Sequence, residues 1–137
     1  MRILAIDYGE RRLGLAISDE LQMTARPLKT LARLPKEQAL IQIAQIVCEN
    51  GVGSVVVGLP LRLDGTHGDA AARVEKFIAL LGERLSCPVL AWDERLSSYE
   101  AEERMRAAGL NTAARRARID EFAALVILED YLQHLGT

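Results

Sequence analysis

The feature that most constrains the fold is a change in hydrophobic period near residue 33. Before that point, apolar residues recur in short aliphatic runs at 2–8, 13–19 and 23–31, joined by short polar links. Such runs predict β-strands, and links of this length allow only antiparallel neighbours. Pro27 fits best on a strand at the edge of the sheet, where no ladder donor is needed.

Beyond residue 33, helical and strand patterns alternate along the chain. They predict helices at 36–49, 70–85, 97–108 and 120–132 and buried strands at 53–59 and 88–92. The order βββαβαβαα predicts an α/β fold with a mixed five-stranded sheet flanked by helices, in which strands 1–3 are antiparallel and strands 1, 4 and 5 are parallel. With 137 residues, the chain has a common domain size, so we expect 1–137 to form a single domain.

Acidic residues occupy three positions where packing alone would not place them. Asp7 ends the first strand, the pair Asp93-Glu94 ends the last strand, and Asp120 enters the first turn of the final helix. The carboxyl ends of parallel strands meet at one edge of a sheet, where ligands bind in open α/β folds. Neighbouring residues of a strand point to opposite faces, so only one of Asp93 and Glu94 is expected to reach Asp7. Structural alternatives remain: turn hydrogen bonds for Asp7, an ion pair with Arg95, and a helix cap for Asp120.

Convergence of these carboxylates would predict a metal site. Clustered carboxylates repel one another unless a cation compensates their charge. Two divalent ions about 4 Å apart would compensate it, and such ions also promote phosphodiester hydrolysis by activating water and stabilising the leaving oxygen. Oxygen ligands favour Mg²⁺ or Mn²⁺, and no cluster of histidines or cysteines indicates zinc.

Arginine usage points to nucleic acid although the formal net charge is −2. Fourteen of the seventeen basic residues are arginine, which binds phosphate through two parallel hydrogen bonds, although genomic base composition also raises arginine content. Five arginines and no acid occur between residues 104 and 119. Gly109 is predicted to end a helix there, and 109–117 to form a mobile loop. Its candidate phosphate ligands are Arg115, Arg116 and Arg118, with a solvated helix end as the alternative.

Further candidates for substrate contact lie near the same strand ends. Gly9 and Gly14 allow a tight hairpin and a close approach of backbone to phosphate. Arg12 would lie beside the metal site and hold a phosphate, or would be a solvated hairpin charge. Arg62 follows strand 4 toward the cleft, and Arg95 follows the acidic pair.

A set of motifs in fixed order carries a family resemblance: Asp7-Tyr8-Gly9-x-x-Arg12-x-Gly14-x-Ala16, Ala25-Arg26-Pro27-Leu28, Gly58-Leu59-Pro60-Leu61, Asp64-Gly65-Thr66, Asp93-Glu94-Arg95-Leu96-Ser97 and Asp120. In these motifs the chain closely resembles the YqgF/RuvX family of pre-16S rRNA nucleases and Holliday-junction-resolvase-like proteins, from residue 2 to about 131. The resemblance implies an RNase H-like fold related to the RuvC resolvase. It also implies catalytic, metal-binding acids at Asp7, Glu94 and Asp120, and favours Glu94 over Asp93.

The final helix departs from the RuvC pattern, which uses four acids. It offers Asp120-Glu121 at its predicted start, whereas Glu129 and Asp130 are more than two turns further on. We therefore expect two ions to bind only with substrate present.

The preferred prediction is a metal-dependent nuclease that processes the 5′ end of pre-16S rRNA in ribosome biogenesis. The first alternative is a Holliday-junction resolvase or related DNA nuclease in recombination and repair, for which a homodimer is expected. The second is a non-catalytic nucleic-acid-binding module, which would need the arginines but not the acids. An actin-like ATPase would need two such domains. No apolar run has the ~20 residues of a membrane span, and no signal peptide is evident, so a cytoplasmic protein without a membrane partner is expected.

Overall fold

The computed structural model describes residues 1–62, 64–93, 103, 105–110 and 112–136, with the backbone alone at 112–118. One mixed sheet contains the strands β1 (Arg2–Tyr8), β2 (Arg12–Ser18), β3 (Ala25–Ala32), β4 (Val52–Leu59) and β5 (Val89–Asp93). The strand order is β3-β2-β1-β4-β5. Neighbours in the β1–β2–β3 meander are antiparallel, whereas β4 is parallel to both β1 and β5. The predicted mixed five-stranded sheet is confirmed.

Strand directions bring several chain segments to one edge of the sheet, which we call the carboxyl edge. The parallel strands β1, β4 and β5 end there, and β2 begins there with Leu13 opposite Tyr8. The third strand ends at the same edge, with Ala32 opposite Arg12. Pro27 lies on the outermost strand β3, as predicted, beside a shift in the β2–β3 register.

Two helices cover one face of the sheet. They are α1 (Lys36–Glu49) and α2 (Asp69–Arg84), each with apolar residues buried at helical spacing. A further helical stretch ends at Gly109, whose φ of +80° favours glycine. There, the Leu110 amide donates to the Met105 carbonyl at 3.1 Å and the Gly109 amide to the Arg106 carbonyl at 3.0 Å. Gly109 therefore ends this helix as predicted. In the described part of the chain, no helix is long and apolar enough to cross a membrane.

The last helix, α3 (Thr112–Leu135), begins earlier than predicted. The expected mobile loop over 109–117 was wrong, because the backbone is helical from Thr112 onward. The segment 113–118 contains only alanine and arginine, which are among the strongest helix formers. Asp120 therefore lies more than two turns inside α3 rather than in its first turn, and the alternative that it caps the helix is excluded.

Strand alternation divides the core into two layers. The α1–α2 layer receives the large aliphatic residues of the central strands, namely Leu4, Ile6, Leu13, Leu15 and Ile17. The α3 layer receives their small residues, such as Ala5 and Ala16, which pack against the buried run 122–128 of α3. Small residues allow α3 to approach the sheet closely, and this approach positions the site described next.

Candidate active site

Asp120 is placed by a direct contact between α3 and β2. A Cβ atom added to Gly14 would lie 1.9 Å from the Asp120 carbonyl oxygen and 2.8 Å from the Asp120 Cβ. Side chains do not approach backbone so closely, so glycine is required where the helix rests on the strand.

The turn before β2 leaves room for the same acid. A Cβ on Gly9 would lie 2.7 Å from the Arg12 carbonyl oxygen and 3.3 Å from Asp120 Oδ1. The sequence predicted a close approach of phosphate at Gly9 and Gly14, whereas the structure shows the approach of Asp120. The signal for this contact was available at Gly14, because a glycine inside a strand is typical of close backbone approach.

Asp7 lies on the same face of the sheet as Asp120. In the β1–β2 register Asp7 is directly opposite Gly14, and opposite residues of an antiparallel pair share a face. Ala5, two residues earlier on β1, packs in the α3 layer, which assigns the face independently. The structure therefore brings Asp7 and Asp120 together at the carboxyl edge.

Arg12 forms an ion pair with the Asp120 carboxylate. Its Nε lies 3.1 Å from Asp120 Oδ2; the Arg12 side chain is 50% exposed and that of Asp120 is 17% exposed. Burial raises the pKa of Asp120 above its ordinary value, although Arg12 lowers it, and the charge of Glu121 adds to the rise. The positive charge of Arg12 thus does not fully compensate the buried carboxylate, and a bound cation would compensate it further.

The donors at this site fit a hard divalent cation. Asp7 and Asp120 offer carboxylate oxygens, the ligand type that Mg²⁺ and Mn²⁺ prefer. Across the described ranges, no group of three or more His, Cys, Asp or Glu side chains forms a ready metal site. The predicted third acid, Glu94, lies outside the described residues, as does Arg95.

Asp93 lies on the opposite face from the two acids. It pairs in register with Leu59 of β4, which packs against the α1–α2 layer. The preceding Trp92 belongs to the α3 layer, where its Nε1 donates to Asp130 Oδ2 at 2.8 Å and its ring meets Tyr131 edge-on. Asp93 therefore faces away from Asp7.

The remaining predicted substrate ligands are distributed around the carboxyl edge. Arg62 lies over Gly68, the residue before α2, with its Nε 2.9 Å from the position of an added Cβ. This places Arg62 on the α2 side of the sheet, whereas Asp120 is on the α3 side. The three remaining candidates fall within the first two turns of α3, where only their backbone is described: Arg115, Arg116 and Arg118.

Solved structures of the same fold define the class of protein. The chain superimposes over 100% of its length on Thermus thermophilus RuvC in complex with a Holliday junction substrate, with a TM-score of 0.59, 16% identity and 97% of that chain covered. The fowlpox virus Holliday junction resolvase matches with a TM-score of 0.60 and 13% identity, over 98% of this chain and 99% of that one. The fold and the paired acids define a hydrolytic nuclease of the RNase H-like class.

Sequence comparison identifies the family. The family model RuvX, described as Holliday junction resolvase, matches residues 1–134. Over 95% of this chain, a relative from Chloroflexus aggregans is 48% identical and one from Chloroflexus aurantiacus is 50% identical, with 92% and 85% of those proteins covered. A relative from Syntrophus aciditrophicus is 43% identical over 99% of the chain and 91% of its own length. All three are named pre-16S rRNA nuclease. The chain belongs to the RuvX family, and its substrate is nucleic acid.

Proposed function

We propose that this chain is a single-domain nuclease, spanning 1–137, that hydrolyses phosphodiester bonds at the 5′ end of pre-16S rRNA with Mg²⁺ or Mn²⁺. The observation that carries the proposal is the position of Asp120 on Gly14, directly beside Asp7. Relatives with 43–50% identity over nearly the whole chain, all named pre-16S rRNA nuclease, support the choice of RNA.

Asp7 and Asp120 would hold the metal, with Glu94 as the third acidic ligand. When bound, two divalent ions supply activation of water and stabilisation of the leaving oxygen. The buried position of Asp120 supports this role, because a carboxylate with a raised pKa gains more from a bound cation than an exposed one does.

Arg12 would act as a positioning residue and a phosphate ligand. Its Nε contacts Asp120 Oδ2, which orients that carboxylate, while half of its side chain remains exposed. A guanidinium has five N–H donors, so donors remain for a phosphate beside the acids. The backbone of α3 places Arg116 one turn before Asp120, and we assign Arg115, Arg116 and Arg118 to the flanking phosphates. Arg62 and Arg95 would contact the strand further along the edge.

Cleavage of branched DNA is the second candidate function. It is favoured by the family description as a Holliday junction resolvase and by the common fold with RuvC. A resolvase must cut two strands symmetrically, so this candidate requires a homodimer. A non-catalytic binding module is disfavoured, because it would gain nothing from an acid buried against an opposing acid.

Matched substrates separate the two candidates. The protein is incubated with Mn²⁺ or Mg²⁺ and either a precursor-16S RNA fragment or a four-way DNA junction, with and without EDTA. We expect faster cleavage of the RNA, loss of cleavage in EDTA, and return of activity when metal is restored. Faster cleavage of the junction by a dimer would replace the first candidate by the second. Undiminished cleavage in EDTA would contradict both.

A further inference from the structure

A second group of arginines lines a cavity on the α1–α2 side of the carboxyl edge. Arg11 comes from the β1–β2 turn, Arg33 follows β3, and Arg73 lies one turn inside α2. With Glu10 and Leu34 they line a cavity of about 620 Å³. Three chain segments that are distant in sequence thus bring three guanidinium groups together.

The positive charge of this cavity is not neutralised by ion pairs in the described structure. Arg84, on the same helix as Arg73, pairs with Glu37. By contrast, within the ranges that the structure describes, the ion pairs closer than 4.0 Å do not include Arg11, Arg33 or Arg73. Three guanidinium groups face the single carboxylate of Glu10, so the cavity has an excess of positive charge and would attract an anion.

Arg33 is held in place by contacts that use few of its donors. Its guanidinium carbon lies 5.4 Å from the centroid of the Tyr8 ring, which itself packs 4.7 Å from the Phe77 ring. One Nη1 donates to the Gly9 carbonyl at 3.5 Å, and the Arg33 amide donates to the Arg11 carbonyl at 3.0 Å. An arginine fixed in this way loses little conformational entropy when it binds an oxyanion through its remaining N–H groups.

The turn between β1 and β2 joins this cavity to the candidate active site. Arg12 contacts Asp120 on the α3 side, and its neighbour Arg11 lines the cavity on the other side. We infer that the cavity binds a backbone phosphate of the substrate strand, next to the phosphates held at the acids, so that the strand crosses the Gly9–Arg12 turn. The identity of the strand rests on the proposed function. Continuity with the acids favours nucleic acid over an acidic protein.

A charge-matched pair of double variants tests this inference. Arg11→Gln/Arg73→Gln removes two cavity charges and keeps Arg33, which packs on Tyr8. Arg26→Gln/Arg84→Gln removes the same charge from exposed positions toward the opposite edge of the sheet. Binding of labelled single-stranded RNA is measured by fluorescence anisotropy in EDTA, from about 50 to 200 mM salt.

The cavity variant should bind RNA roughly tenfold more weakly than the control variant. The slope of log affinity against log salt should also flatten by about 1.4, since each lost phosphate contact on a single strand contributes about 0.7. With Mn²⁺ and saturating RNA, its cleavage rate should stay close to that of the wild type, because the acids are unchanged. Equal affinity and salt slope in the two double variants would overturn the inference.

Photo-crosslinking gives a second, independent measurement. Replacement of Leu34 by p-benzoylphenylalanine puts a probe at the wall of the cavity, and the same replacement of Leu21 puts one at an exposed position near the opposite edge. We expect RNA crosslinks from position 34 and none from position 21; the reverse pattern would contradict the inference. The proposed function fails on a different result, namely unchanged RNA cleavage in Asp120→Asn, so the two failures can be distinguished.

Discussion

The two faces of β1 and β2 belong to the same strands but pack in different ways. One face presents large aliphatic residues to α1 and α2: Leu4, Ile6, Leu13, Leu15 and Ile17. The other presents small or acidic residues to α3: Ala5, Asp7, Gly14 and Ala16. Large side chains keep α1 and α2 at an ordinary packing distance, whereas α3 touches the strand backbone. The comparison teaches that the aliphatic face mainly stabilises the sheet, while the close face sets the relative positions of the two acids.

Gly14→Ala should disrupt the close face and have the largest effect. The new Cβ would overlap the Asp120 carbonyl oxygen at 1.9 Å, so α3 must move. We expect a loss of about 1–3 kcal/mol in the free energy of unfolding and a roughly 10²-fold lower cleavage rate, because both packing and acid geometry change. Denaturant titration and single-turnover cleavage measure the two effects.

Gly82→Ala is the matched control. A Cβ at this exposed position in α2 meets nothing within 4 Å. Alanine there should raise the free energy of unfolding by about 0.5–1 kcal/mol and leave cleavage unchanged. If Gly14→Ala behaved like Gly82→Ala, the helix–strand contact would not be what positions Asp120.

Ile6→Val tests the aliphatic face next to Asp7 in sequence. Ile6 is fully buried in the α1–α2 layer, so loss of one methylene should cost about 0.5–1.5 kcal/mol. The cleavage rate per folded molecule should not change, because Asp7 points to the other face. A large fall in rate with intact stability would show that the two faces are not independent.

Asp120→Asn should have the smallest effect on stability, and its sign depends on pH. Because burial raises the pKa of Asp120, ionisation destabilises the fold as pH rises through that pKa. In EDTA the variant should match the wild type at low pH and become slightly more stable toward pH 7, by about one or two degrees in Tm. Lower stability of the variant at pH 7 would mean that the pair with Arg12 outweighs the cost of burial.

The sequence predicted most of the fold because hydrophobic period is a local property. Helix α1 has the predicted bounds 36–49, and Pro27 lies on the edge strand. The start of α3 was missed because a run of arginines was interpreted as a loop, although alanine and arginine favour helix. The contact of Gly14 with Asp120 could not be predicted, since it joins residues far apart in sequence. For the same reason, the cavity of Arg11, Arg33 and Arg73 has no signature in any short segment.

The central claim is that the acids on the α3 face, and not those on the other face, perform the cleavage. Cleavage of precursor RNA is compared in Asp7→Asn and Asp93→Asn at saturating substrate with Mn²⁺, after equal RNA binding is verified in EDTA. These two acids end neighbouring segments of the sheet but face opposite layers. We predict a rate at least about 10²-fold lower for Asp7→Asn and a rate near that of the wild type for Asp93→Asn. Equal losses in both variants, or a larger loss in Asp93→Asn, would contradict the claim.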